Sequence, residues 1–225
     1  MMGQDERVMA GTGDAKLREI CEKAARGAFP PPAWGLELLP GPERVVAAVL
    51  AFTGHHIVAA DIDEDQIRRH LDRHDVAAPF NPVFLAWIGE RLEARVGHID
   101  VTMSRFGSGP GDDWLRPVAE PPDNERVRRA RQLRSEISFL SPPDRRAVVS
   151  LGLGLAGRHE VSMEVGDESD RSQGLGTRLV LAAVARVPAD TVVFAGVAPG
   201  NARSLRCLLR AGFRPIGAEC IFTHE

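Results

Sequence analysis

One segment constrains this chain more than any other. His159 to Val165 alternates charged or polar with apolar residues, as a half-buried strand does, and Gly174 to Val187 carries the apolar spacing of a helix. Between them stands Arg171-Ser172-Gln173-Gly174-Leu175-Gly176-Thr177, an R-x-x-G-x-G loop that opens directly into the helix. A strand that feeds a glycine-rich turn and then a helix N-terminus presents unpaired backbone N–H groups and the positive end of the helix dipole, a ready site for a diphosphate. Gly174 and Gly176 would let the backbone approach the phosphates closely. The alternative is an ordinary turn that tolerates left-handed backbone, because short glycine motifs also cluster in loops.

The rest of the chain limits where such a segment can sit. Its 225 residues suffice for one large domain or two small ones, with 44% apolar and 26% charged residues, as in an ordinary globular protein. A formal net charge of -3 gives no basic footprint, so neither nucleic acid nor an anionic membrane is the expected partner. Cys21, Cys207 and Cys220 are odd in number and irregular in spacing, which implies neither a disulfide framework nor a zinc site. Met1 to Arg26 is charged throughout, unlike a secretory signal. Val45 to Phe52, the longest apolar run, falls short of the roughly 20 residues a membrane span needs. A cytoplasmic protein is expected.

Leu17, Ile20, Cys21 and Ala24 mark a helix over 14–26, which ends at Gly27 and the Pro30-Pro31-Pro32 run. Residues 1–40 are therefore a helix and a proline-rich linker. A hairpin follows, Val45 to Phe52 and His55 to Ala60, then helices over 63–73 and 82–95, then a strand from His98 to Phe106. These form an N-terminal α/β region over 41–106. Gly and Pro clusters at 107–113 and 119–124 mark the seam. Beyond it the order is regular: an Arg-rich helix 124–134, strands 136–140, 146–152 and 159–165, the helix after the glycine loop, a strand 191–197, a helix 201–211 and a last strand near 218–222.

At the end of the next-to-last strand comes Val197-Ala198-Pro199-Gly200-Asn201, followed by a helix that closes on Gly212-Phe213. With these motifs in place, residues 159–215 resemble the acyl-CoA core of the GNAT superfamily: strand, R-x-x-G-x-G loop, helix, strand, Asn, helix, Gly-Phe. The resemblance implies an α/β (α+β) fold with a mixed, splayed central sheet flanked by helices. Residues 107–225 would form the acetyltransferase domain, and 41–106 would be an extension that supplies its first strand or a worn half-copy of the fold. It implies an N-acetyltransferase that uses acetyl-CoA as co-substrate, with no metal, and a small-molecule or protein amine as acceptor in a ternary complex. A homodimer is compatible with it.

By the same resemblance, Met163, Glu164 and Val165 would contact the pantetheine arm. Arg171, Ser172, Gln173, Gly174, Leu175, Gly176 and Thr177 would hold the diphosphate, and Asn201 would meet the arm near the following helix. A splayed strand pair leaves backbone groups that a pantetheine chain can satisfy as a substitute strand.

Acyl transfer to an amine needs a base for the ammonium and a proton for the departing thiolate. Glu160, Ser162 and Glu164 share one face of their strand, so Glu160 and Glu164 are the candidate bases, against the plain reading of a solvated face. Many family members carry a tyrosine seven residues after the Asn. Here that residue is Leu208, and the chain contains no tyrosine. Cys207 and Ser204 are the candidate acids, against simple packing for the cysteine. A non-catalytic acyl-CoA-binding or protein-interaction module is thus the alternative function.

Other motifs lead elsewhere. Gly152-Leu153-Gly154-Leu155-Ala156-Gly157 fits a dinucleotide fingerprint, but a strand pattern follows it where a helix is required, so a hairpin turn is expected and NAD is rejected. Asp61, Asp63 and Asp65 lack the glycine and the glutamate of a calcium loop and suit helix capping better. His70 with His74, and His55 with His56, are read as structural, and the arginines of 126–134 as a solvated face, with an acidic acceptor or the CoA 3'-phosphate as their functional alternative.

Overall fold

A computed structural model describes residues 4–72, 74–111, 113–166 and 174–224, with side chains described from Gly11 onward. The chain divides into two compact units, one of residues 1–101 with 216–225, the other of residues 102–215.

In the first unit, helix α1 (Gln4–Ala25) precedes β1 (Gly35–Leu39), the hairpin β2 (Ala47–Phe52) and β3 (His55–Ala59), then α2 (Glu64–His70) and α3 (Pro82–Arg91). Strand β4 (Arg95–Phe106) passes into the second unit after Val101, and β10 (Arg214–Thr223) returns to the first. The strand order here is β1-β3-β2-β10-β4. β1 runs parallel to β3, while β2 is antiparallel to both β3 and β10.

Local chemistry explains these elements. Asp63 caps α2 by accepting from the N–H groups of Asp65 and Gln66, and Asn81 caps α3 ahead of Pro82. Val49, Val58 and Phe222 are buried with Ile67, Phe84 and Ile88, so the strands pack against the apolar stripes of α2 and α3. α1 begins ten residues earlier than its expected start at 14. Its Leu17, Cys21 and Ala24 are buried, as their spacing requires.

The strand β1 falls inside the stretch read from the sequence as linker. Its Leu36 and Leu38 pack on the core, and Glu37 between them accepts from Lys16 (2.5 Å) and pairs with His55 (3.2 Å). Five residues framed by Pro32 and Pro40 carry a period-two signal too short to stand out. The first unit also differs from the division at 106/107, since the strand β10 folds with it rather than with residues 107–215.

The second unit starts with the end of β4 and the two-residue β5 (Arg116–Pro117). Then come α4 (Glu125–Leu133), the antiparallel β6 (Ser135–Ser141), β7 (Ala147–Leu153) and β8 (His159–Val165), α5 (Leu175–Val184), β9 (Val192–Val197) and α6 (Ala202–Arg210). Its strand order is β4-β9-β8-β7-β6-β5, with β9 parallel to β8 through the α5 crossover. The result is a mixed sheet with flanking helices.

The Gly152 to Gly157 segment is a hairpin connection. Leu155–Gly157 forms one 3-10 turn, with Ala156 at φ 56° and Gly157 at φ 72°, and β8 follows at once. No helix opens there, so the dinucleotide reading has no structural basis. Among the described residues no helix is long and apolar enough to cross a membrane. Nor, among those residues, do three His, Cys, Asp or Glu side chains gather to share a metal ion. His70 instead stacks on Trp87 with ring centroids 4.0 Å apart.

Candidate functional site

The ladder between β8 and β9 has two rungs among the described residues, His159↔Val193 and Glu160↔Phe194. Both strands continue past them, β8 to Val165 and β9 to Val197, while β8 stays laddered to β7 along its whole length. The pair therefore opens from Glu160 onward. A cleft of about 400 Å³ lies in the second unit, lined by Met163, Glu164 and Val165 of β8, by Gly174, Gly176 and Thr177, and by α6.

Gly174 turns the chain into α5 at φ 83°, a left-handed backbone that suits glycine, and no side chain among the described residues caps the helix. The first-turn amides of α5 are thus uncapped beside the cleft. A Cβ at Gly176 would stand 2.9 Å from Met163 Cε and 3.2 Å from Cys207 Sγ, whereas one at Gly174 would meet nothing within 4 Å. The absence of two side chains leaves room for a group to lie against the helix start. Thr177 Oγ1 donates to Cys207 Sγ at 3.6 Å, which ties this turn to the middle of α6.

The other wall is α6. Asn201 caps it by accepting from the Ser204 N–H at 3.1 Å, so its side chain serves the helix end while lining the cleft. Burial pushes the Cys207 thiol up, and the Thr177 hydrogen bond and the Arg210 charge only partly oppose this. The thiol is therefore protonated at neutral pH.

Of the residues singled out from the sequence, Met163, Glu164, Val165, Gly174, Gly176, Thr177, Asn201, Ser204 and Cys207 surround this one cleft. Leu175 points into the core and is 7% exposed. Arg171, Ser172 and Gln173 lie outside the described residues.

Glu160 is not among the lining residues. It is 8% exposed, accepts from Arg158 (2.8 Å), Arg134 (3.3 Å) and the Leu155 N–H (3.2 Å), and sits at the last β8–β9 rung. Burial pushes its carboxyl up, but the two guanidiniums outweigh it and hold the group below the usual range. Arg134 also donates to Ser150 (2.7 Å) and Ser162 (3.0 Å), which binds β7, β8 and the end of α4 into one polar network. Glu164 lies at the cleft, with Arg126 of α4 at 3.9 Å. Reading alternate positions on one strand identified both carboxylates but not their different surroundings.

Four arginines also line the cleft: Arg126, whose helix is read from the sequence chiefly as solvated, and Arg203, Arg206 and Arg210 of α6, which no sequence signal above assigns to a site. The i, i+3, i+7 spacing of the last three was the available signal, since it puts them on one helix face.

No protein-family model matches this chain. No curated protein matches it either. Several solved structures are similar to it, three of them as follows. One, described as a GNAT-family acetyltransferase from Novosphingobium aromaticivorans, is 18% identical at a TM-score of 0.38, over 59% of this chain and 68% of that one. A GNAT-family acetyltransferase from Colwellia psychrerythraea is 12% identical at 0.37, over 64% and 63%. A GCN5-related N-acetyltransferase from Kribbella flavida is 16% identical at 0.38, over 99% and 96%. These are loose likenesses, and what the cleft can do rests on its own geometry.

Proposed function

We propose that the cleft of the second unit binds acyl-CoA and that the protein transfers the acyl group, acetyl in the simplest case, to a primary amine in a ternary complex. The observation that carries this reading is the opening of β8 from β9 directly beside the uncapped, glycine-lined start of α5. The diphosphate would lie on the α5 amides, and the pantetheine arm would run along Met163 to Val165 into the gap between the strands. Few other ligands need an anion site and a strand-like groove end to end.

In the reaction the neutral amine attacks the thioester carbonyl, a C–N bond forms and the C–S bond breaks. The amine loses one proton and the CoA thiolate takes one up. Glu164, at the cleft, is assigned as the acceptor of the amine proton, directly or through water. Glu160, clasped by two arginines, is a poor proton acceptor and is assigned to hold the strand fork in place. The protonated Cys207 thiol and the Ser204 hydroxyl are the groups on α6 able to return a proton to the thiolate.

Leu208, in the position where the family often has tyrosine, is 6% exposed and cannot serve as an acid. That favours a second reading, an acyl-CoA-binding module without turnover. Calorimetry with CoA and acetyl-CoA tests binding, and thiol release from acetyl-CoA across an amine panel tests transfer. Micromolar binding with amine-dependent thiol release supports the enzyme, binding without release supports the module, and no binding of either ligand sinks both.

A further inference from the structure

We propose that Arg203, Arg206 and Arg210 of α6 read the 3'-phosphate of CoA, so that the site selects CoA over dephospho-CoA. This assignment rests on the acyl-CoA reading of the cleft.

Three observations lead to it. First, the sequence of α6, Ala202 to Arg210, contains no acidic residue, and its first turn carries Arg203 against the positive end of the helix dipole. Arginines spaced by three and four residues on one face also repel one another. A helix arranged in this way is relieved by an anion. Second, all three residues line the cleft together with Cys207, which packs against the start of α5 through Thr177. The stripe therefore runs past the place where the diphosphate would lie. Third, seven residues of helix span about 10 Å. That is longer than one diphosphate, which in the proposed pose lies on the α5 amides, so part of the stripe is left for a different anion. A phosphate monoester, with about -1.5 to -2 charges at neutral pH, supplies one on the same molecule. Guanidinium is the side chain best suited to receive it.

The test is calorimetry with CoA, dephospho-CoA and adenosine 3',5'-bisphosphate on the full chain and on R206Q/R210Q, at low and at high salt. The wild type is expected to bind CoA about tenfold or more tightly than dephospho-CoA, a gap that narrows as salt screens exposed charges. In the double variant that ratio should fall towards one, CoA losing several-fold more affinity than dephospho-CoA. Measurable binding of the bisphosphate to the wild type alone would support the same assignment. Equal affinity of the wild type for CoA and dephospho-CoA, or a ratio preserved in the variant, overturns this assignment and leaves the acyl-CoA reading standing. No affinity for either thiol overturns both. All three side chains are exposed, so folding of the variant, checked by its melting temperature, should be unaffected.

Discussion

Glu160 and Glu164 lie four residues apart on one face of the same strand, yet their environments differ. Replacing Glu160 with Gln leaves Arg158 and Arg134 buried without their carboxylate, and the expected cost is about 3–5 kcal/mol of stability, read by denaturant unfolding. Because its folded pKa lies below the unfolded value, its stabilising effect is present above that value and is lost as pH falls through the folded one. Glu164→Gln is expected to leave stability nearly unchanged and to lower turnover with a changed pH profile. The opposite pattern would exchange the two roles.

Two further positions give checks at this scale. Gly176→Leu would drive atoms into Met163 and Cys207 and fill the cleft. It should weaken CoA binding by tenfold or more, about 1.4 kcal/mol, while the melting temperature stays close to wild type, since glycine is a poor helix former. His56, 0% exposed, has no hydrogen-bond partner among the described residues on either ring nitrogen, and burial, with the neighbouring His55 adding to it and Asp75 opposing it, pushes its pKa below the usual 6.5. The unfolded chain then binds a proton that the folded one excludes, so stability should fall as pH drops below about 6.5 and be flat above it on this account. His56→Phe should remove that slope in pH-resolved unfolding.

At the scale of elements, the sequence was most informative where the signal is local. The strand β8 was expected at 159–165 and has those bounds, and α4, α5, β9 and α6 lie within two or three residues of their expected ends, because capping residues, glycines and apolar period all act within one turn. Asn201 shows how such a signal can serve two readings: it was singled out as a ligand contact and is found as the cap of α6. Asn201→Ala should cost about 1 kcal/mol through the lost cap, seen in unfolding, besides any effect on the cleft. What stayed hidden depends on distant pairing. The clasp of Glu160 by Arg134 joins residues far apart in sequence, and β1 exists because β3 offers it an edge. Neither partner is visible from a window of neighbouring residues.

At the scale of the whole molecule, the sequence places a division after residue 106, whereas the first compact unit runs to residue 101 and takes in the final strand. In the first unit β10 lies between β2 and β4 and buries Cys220 and Phe222 in the same core as Val49 and Val58. No hydrophobic pattern in β10 distinguishes that partner from the sheet that precedes it in sequence. A fragment of residues 1–106 should therefore lack cooperative unfolding, since it leaves β2 and β4 without the strand between them. Adding a peptide of residues 214–225 should restore part of it, monitored by near-ultraviolet circular dichroism.

The place of β10 also sets an order on synthesis. A ribosome that has just finished β4 has released every strand of the first sheet except one, and at about 5–20 residues per second it needs on the order of ten seconds to deliver β10. Throughout that interval the nascent first unit exposes the open edge of β2 while the intervening unit is still emerging, so chaperone occupancy of the growing chain should peak there and end when β10 leaves the exit tunnel.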